Sequence, residues 1–481
     1  MSRAQSRRHH IVFGRRGSGK SSLLRKAAAD LTVARLPIAY INVESFKGHS
    51  YPDVLLSVLI QTFQEFKHWL DTAAVNPATK TSFWRKFFDA VPKQPSLNRK
   101  ECARLSSELA KLVAELELQL HAPTHADSTL SVAEVEDSTQ DSKIGGSISG
   151  GPATISAEIA DGSTHMRRES KEQHFKEHKI DFLHRHIIDY QNLFHELAKA
   201  SRGDSFLFLD DLYYIRRSDQ PNLIDYFHRI AKDRSLWLKI GTIRQRTDWY
   251  RHGDPPTGIK LGDDADQIDL DITLEKYSLA RDFLHKILRN FATGAGVNLT
   301  LLMTEGALER LVLASGGVAR DFLSVFRASV SVARERLRSS NTGNDKITAE
   351  DVNMAAGEYD QFKREDFKRD TSPDEEEELQ EEFQRLRDFC LDKAKANCFL
   401  LDKDAKGREV VLIHELVDLK LFHLVRSRVT VSGQKGKLFE AFTLDLSQYA
   451  GARKRRGVDI IEFWRHDAQE SLRRNSLIYG A

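Results

Sequence analysis

Gly14-Arg-Arg-Gly-Ser-Gly-Lys-Ser21 decides how this chain is read. The stretch fits G-x-x-x-x-G-K-[ST], the pattern of a phosphate-binding loop. Before it, His10-Ile-Val-Phe13 is a short apolar, β-branched run that reads as a buried strand. After it, Ser22-Leu-Leu-Arg-Lys-Ala-Ala-Ala-Asp-Leu31 reads as a helix. Strand, Gly-rich loop and helix form the context this motif needs. Gly14, Gly17 and Gly19 let the backbone approach phosphates and turn its N–H groups inward. The helix N-terminus adds a partial positive charge. Lys20 would reach the β- and γ-phosphates, Ser21 would ligate Mg²⁺ through its hydroxyl, and Ser18 and Ser22 complete the expected phosphate-binding set. ATP and Mg²⁺ are the expected cofactors.

Working outward, the chain alternates strands and helices. Pro37-Ile-Ala-Tyr-Ile-Asn-Val43 reads as a second strand. Val54, Leu55, Val58, Leu59, Phe63 and Phe66 then recur at helical spacing. Ser205-Phe-Leu-Phe-Leu-Asp-Asp211 is a third strand, a central run ending in two carboxylates. Leu236-Trp-Leu-Lys-Ile-Gly-Thr-Ile243 is a fourth, and Gln267-Ile-Asp-Leu-Asp-Ile-Thr-Leu274 an edge-like fifth. Strands separated by helices predict a parallel α/β sheet. The expected organisation has an ATPase domain over 1–275 with an insertion at about 75–175, a helical lid over 276–370, and a winged-helix-like domain over 379–481. Within the insertion, residues 143–159 alternate patchily and read as a thin hairpin or a flexible loop, the pattern favouring the hairpin. Thr371-Ser-Pro-Asp-Glu-Glu-Glu-Glu378 marks a boundary, as a solvated linker or a helix start. Residues 411–425 read as a helix, and 428–432 and 438–445 as two strands joined by a Gly433–Lys437 turn.

Each strand end carries candidate chemistry, because strand C-termini face the ligand crevice of open α/β sheets. Asp210 would hold Mg²⁺ and Asp211 would polarise the attacking water. The competing reading makes the Asp pair a helix cap. Thr242 would orient water, and Arg244 or Arg246 would meet the γ-phosphate; the competing reading is a solvated arginine pair. In Ser315-Gly-Gly-Val-Ala-Arg-Asp321, the glycines suit a turn between helices and Arg320 opens the second helix, able to reach back to the nucleotide.

These four stretches, in this order, resemble the AAA+ ATPases of the origin-recognition and replication-initiator type. Gly14–Ser21 matches Walker A, Leu207–Asp211 Walker B, Gly241–Arg244 sensor 1 and Gly316–Arg320 sensor 2. The resemblance implies an α/β ATPase domain, a helical lid with a sensor arginine, and a C-terminal winged helix that touches DNA. The double Asp and the Thr-Ile-Arg also resemble STAND signalling ATPases, which use ATP as a switch. The chain departs from the initiator pattern in three ways: no recognisable nucleotide-binding box precedes the first strand, the insertion before Walker B is long, and the winged-helix similarity is one of pattern without signature residues.

Composition adds bounds. The 481 residues are 40% hydrophobic and 30% charged, with a net charge of +2, so any case for nucleic acid rests on local charge. From Arg408 to Ala481 there are 13 Lys and Arg against 9 Asp and Glu. Lys435 and Lys437 sit at the expected wing tip, with Arg453, Lys454, Arg455 and Arg456 after it, a set suited to DNA phosphates. A basic solvated face or a protein-binding wing fits the same cluster. Contacts to backbone are expected over base reading, because the 415–420 helix carries acids. Cys102, Cys390 and Cys398 lack metal-site spacing and suit a reducing cytoplasm. No run is apolar enough to span a membrane. The leading expectation is a cytoplasmic ATP hydrolase coupling nucleotide state to assembly, as a homo-oligomer or with a protein partner, and to DNA. The alternative is a signalling scaffold with negligible turnover. A small-molecule kinase fits less well, having no use for a lid arginine or a C-terminal winged domain.

Overall fold

His9–Phe13 (β1) is buried along its whole length. It belongs to a five-stranded parallel sheet with Ile38–Asn42 (β2), Ser205–Asp210 (β3), Leu236–Thr242 (β4) and Ala265–Asp269 (β5), in the order β2-β3-β4-β1-β5. The computed structural model describes residues 2–75, 97–137, 177–339, 345–370, 373–450, 457–465 and 467–480. β3 reads as a continuous apolar run because every one of its residues is buried. In register, β2 Asn42 lies beside Asp210, and β3 Leu209 beside Ile240 of β4. β4 therefore separates the loop strand β1 from the carboxylate strand β3.

Contacts divide the chain into two compact units. The first holds Met1–Val12, Ser21–Thr242 and Thr247–Ile268; the second holds Phe13–Lys20, Ile243–Arg246 and Asp269–Ala481. In the first unit the helices are Lys20–Val33 (α1), Asp53–Val75 (α2), Arg99–Asp137 (α3), Ile187–Ser201 (α4) and Gln220–Ala231 (α5). Part of the expected insertion is core. Cys102, Leu105, Leu109, Val113 and Leu116 of α3 are buried, and α3 packs along α2. The hairpin expected over 143–159 lies outside the described residues. A short antiparallel pair, Tyr250–Arg251 with Thr257–Gly258, was not anticipated from the sequence.

The main span of the second unit opens at Asp269, the last residue of β5. The expected fifth strand runs to Leu274, but pairing ends at Asp269, followed by one further bond from Leu270 N to Phe13 O. Asp271 then turns to the phosphate loop, which takes the chain out of the sheet. Helices Tyr277–Gly294 (α6), Glu305–Ser315 (α7), Ala319–Ser339 (α8) and Ala349–Asp370 (α9) form the helical region. The acidic run opens a helix, Pro373–Asp388 (α10). Cys398–Asp402 (β6), helix Arg408–Asp418 (α11), Phe422–Val429 (β7) and Phe439–Leu444 (β8) follow. The three strands form an antiparallel sheet in the order β6-β8-β7. Two sequence boundaries are corrected here. The helix expected over 411–425 stops at Asp418, Lys420 takes φ +66, and the strand expected from 428 begins at Phe422. This region is winged-helix-like, with one helix between its first two strands. The helical and C-terminal regions share one hydrophobic core. Leu284, Leu311 and Phe322 belong to the same buried cluster as Val425, Phe439 and Ala441.

Candidate nucleotide-binding site

The candidate residues fall in both units, and each set is coherent within its own. In the second unit the loop adopts the glycine conformations its sequence predicts: φ is +88 at Gly17 and +100 at Gly19. A side chain at Gly14 would collide with Ser18 Oγ, while at Gly19 it would meet nothing within 4 Å. Lys20 is 5% exposed and its ammonium donates to Gly14 O at 2.6 Å and Arg15 O at 3.3 Å. Ser18 Oγ is buried without a hydrogen-bond partner. An unpaired buried hydroxyl costs free energy unless something bonds it. A glycine cradle, an ammonium and an orphan hydroxyl fit a bound phosphate chain.

The helical region closes directly on this loop. Arg320 N donates to Gly17 O at 3.4 Å. A Cβ on Gly17 would lie 2.9 Å from Arg320 Cβ and 3.0 Å from its Nε, so the start of α8 touches the loop. Arg15 was missed, since it fills an unspecified position of the motif. It is 3% exposed, its N–H donates to Asp271 at 2.8 Å, and its Nη2 donates to Gly316 O at 2.9 Å. The Gly316–Gly317 turn is thereby tied to the loop. A Cβ on Gly316 would strike the His423 ring, and one on Gly317 would strike Ile272 O. Beneath the turn, Lys420 pairs with Asp321 at 2.9 Å. Lys363 Nζ and His423 Nε2 both donate to Asp445, at 2.5 and 2.8 Å. Burial lowers the His423 pKa, while burial of Asp445 is outweighed by Lys363 and the His423 bond, which hold its carboxyl well below the usual range.

Arg244 lies over the Phe13 ring at 4.0 Å and pairs with Asp269 at 3.5 Å. Gln245 N donates to Asp418 Oδ2 at 3.2 Å, joining the end of α11 to this turn. Burial, with Asp271 nearby, pushes the Asp418 carboxyl up to about 7.

In the first unit, Ser21 and Ser22 lie in the first turn of α1. Asp210 closes β3 and is 2% exposed. Its Oδ1 accepts from Asp211 N at 3.1 Å and its Oδ2 from the Tyr40 hydroxyl at 2.5 Å. Asp211 sits in the left-handed region at φ +60, and its side chain does not cap the short helix that follows, which removes the capping reading. Thr242 closes β4. It is fully buried and its hydroxyl pairs with that of Thr247 at 2.5 Å, across the turn after β4. Lys435 is exposed and Lys437 pairs with Asp402 at 3.0 Å; Arg453, Lys454, Arg455 and Arg456 lie outside the described residues. Among the described residues no cluster could hold a metal through His, Cys, Asp and Glu alone, and no helix is long and apolar enough to cross a membrane. The three cysteines are free and buried.

The parallel sheet, the glycine loop leaving β1, the helical region and the winged-helix-like region make this a P-loop NTPase fold of the AAA+ kind. No family model and no curated protein matches the chain. Among solved structures, the Orc1 protein of Aeropyrum pernix, determined in complex with DNA, matches over 91% of this chain and 83% of that one, at 14% identity and a TM-score of 0.34. A superposition this loose leaves the fold to rest on the sheet order and the loop.

Proposed function

We propose that this chain binds ATP with Mg²⁺ and hydrolyses it, and that its nucleotide state governs assembly and the engagement of DNA or a protein partner. The observation that carries the reading is the glycine loop with the second residue of α8 bonded to it, Arg320 N to Gly17 O. Gly14 to Ser22 would hold the phosphates, Ser21 and Asp210 the Mg²⁺, and Asp211 the attacking water. Bound Mg²⁺ would neutralise charge developing on the phosphates. Arg320 would distinguish ATP from ADP, and Asp321, paired with Lys420, gives it a direct mechanical path into the C-terminal region. Docking of the α11 end on the 243–246 turn favours DNA contact through the exposed wing, at the backbone, over a helix laid in a groove.

Lys20→Ala should abolish binding of a fluorescent ATP analogue, since the variant loses the point charge placed for the β/γ-phosphates. Unchanged affinity would sink the assignment. Asp211→Asn should keep binding and lower the hydrolysis rate at least about tenfold, because an amide cannot take a proton from water. Measured turnover with and without duplex DNA separates this reading from a signalling scaffold with negligible hydrolysis.

A further inference from the structure

Asp210 is held from three sides, and one holder lies outside every motif. β2 and β3 run parallel with Tyr40 beside Phe208 and Asn42 beside Asp210. Strand alternation puts these four residues on one face. The Tyr40 ring stacks on Phe208, with centroids 6.0 Å apart and planes at 24°. Two residues of strand rise about 6.7 Å, roughly the reach of a tyrosine from Cα to hydroxyl. The phenol thus extends along the strand and donates to Asp210 Oδ2 at 2.5 Å. Asp211 N holds Oδ1 at 3.1 Å. On the β4 side, a Cβ at Gly241 would lie 2.7 Å from that same Oδ1, so the glycine leaves the carboxylate room where it stands.

We infer that Tyr40 is a positioning residue for Mg²⁺: its hydroxyl fixes the carboxylate plane of Asp210 and leaves the remaining lone pairs of both oxygens for the metal or its water. The inference rests on the reading of Asp210 as the Mg²⁺-holding group. A hydroxyl donating to a carboxylate makes a strong, short bond. A tyrosine hydroxyl ionises only near pH about 10, so it stays a donor across the pH range of an assay. Arg25 lies over the Tyr40 ring, 5.8 Å from its centroid.

The test titrates a fluorescent ATP analogue into the full chain, wild type and Tyr40→Phe, in EDTA and across a Mg²⁺ series. The expected result is a Mg²⁺ midpoint raised about tenfold, the scale of one hydrogen bond to a charged group, with affinity in EDTA within about twofold of wild type. In an Asp210→Ala background the same substitution should shift nothing further. An unchanged midpoint, an equal loss with and without metal, or an undiminished effect in the Asp210→Ala background overturns the role of Tyr40. A wild-type protein whose nucleotide binding ignores Mg²⁺ overturns the Asp210 reading beneath it, while one that binds no nucleotide overturns the proposed function.

Discussion

At the scale of single residues, Gly17 carries two constraints at once. Its φ of +88 penalises any side chain, and its missing Cβ is what lets Arg320 approach. Gly17→Ala should therefore destabilise the loop by about 1–2 kcal/mol through backbone strain, and also part the loop from the start of α8. The expected outcome is weakened nucleotide binding and a reduced ability to tell ATP from ADP. Paired titrations of the two nucleotides check this; an equal loss for both would mean that strain in the loop acts alone. Asp211 shows the same economy. Its left-handed backbone at φ +60 is uncommon for a residue with a side chain, and it directs the residue's N–H onto the Asp210 carboxylate.

At the scale of elements, α9 begins in a capping arrangement. Thr348 N and Oγ1 both donate to Asp351 Oδ2 at 2.8 Å, and Arg336 of α8 grips the two carboxylate oxygens at 2.8 and 3.0 Å. Burial alone would raise the Asp351 pKa, but the bonds from Arg336 and Thr348 outweigh it and the value is lowered. A depressed carboxyl stabilises the fold above its unfolded pKa, near 4, and loses that contribution as pH falls through the folded value. Asp351→Asn should cost about 1–2 kcal/mol at pH 7, with the difference from wild type shrinking as pH drops below 4. Urea denaturation at pH 7 and pH 3.5 measures both; a pH-independent difference would show that shape, not charge, holds this helix start.

At the scale of the whole molecule, the helical and C-terminal regions depend on each other. Leu284, Leu311 and Phe322 share a buried cluster with Val425, Val429 and Phe439. Each large apolar side chain contributes about 1.5–3 kcal/mol when fully buried. Buried polar pairs across the same regions, such as Lys363 with Asp445 and Lys420 with Asp321, would be left unmatched if one side were removed, at several kcal/mol per charge. A chain ending at Asp370 should therefore lose the cooperative melting of its helical region, although the acidic run at 371–378 reads as a domain boundary. Circular dichroism melts of the full and shortened chains test this. An undisturbed transition in the shortened chain would mean that the two regions are energetically separate.

The sequence by itself determined the phosphate loop, the buried strand before it and the carboxylates ending β3. These are local patterns, in which glycine freedom, β-branching and short spacing act over a few residues. It also placed Arg320 at a helix start, because two glycines and a helical period bracket it. Periodicity names a face but not what covers it. Nothing local says that Tyr40 meets Asp210 across 170 residues of chain, or that Arg15 reaches the Gly316 carbonyl across 301. The apolar run after Asp418 suits helix and strand alike. Only tertiary structure ends the helix there, where Asp418 bonds to Gln245, Lys420 turns left-handed and the chain enters the β6-β8-β7 sheet. Such choices are made by partners distant in sequence, whose contact energy exists only once the chain has folded.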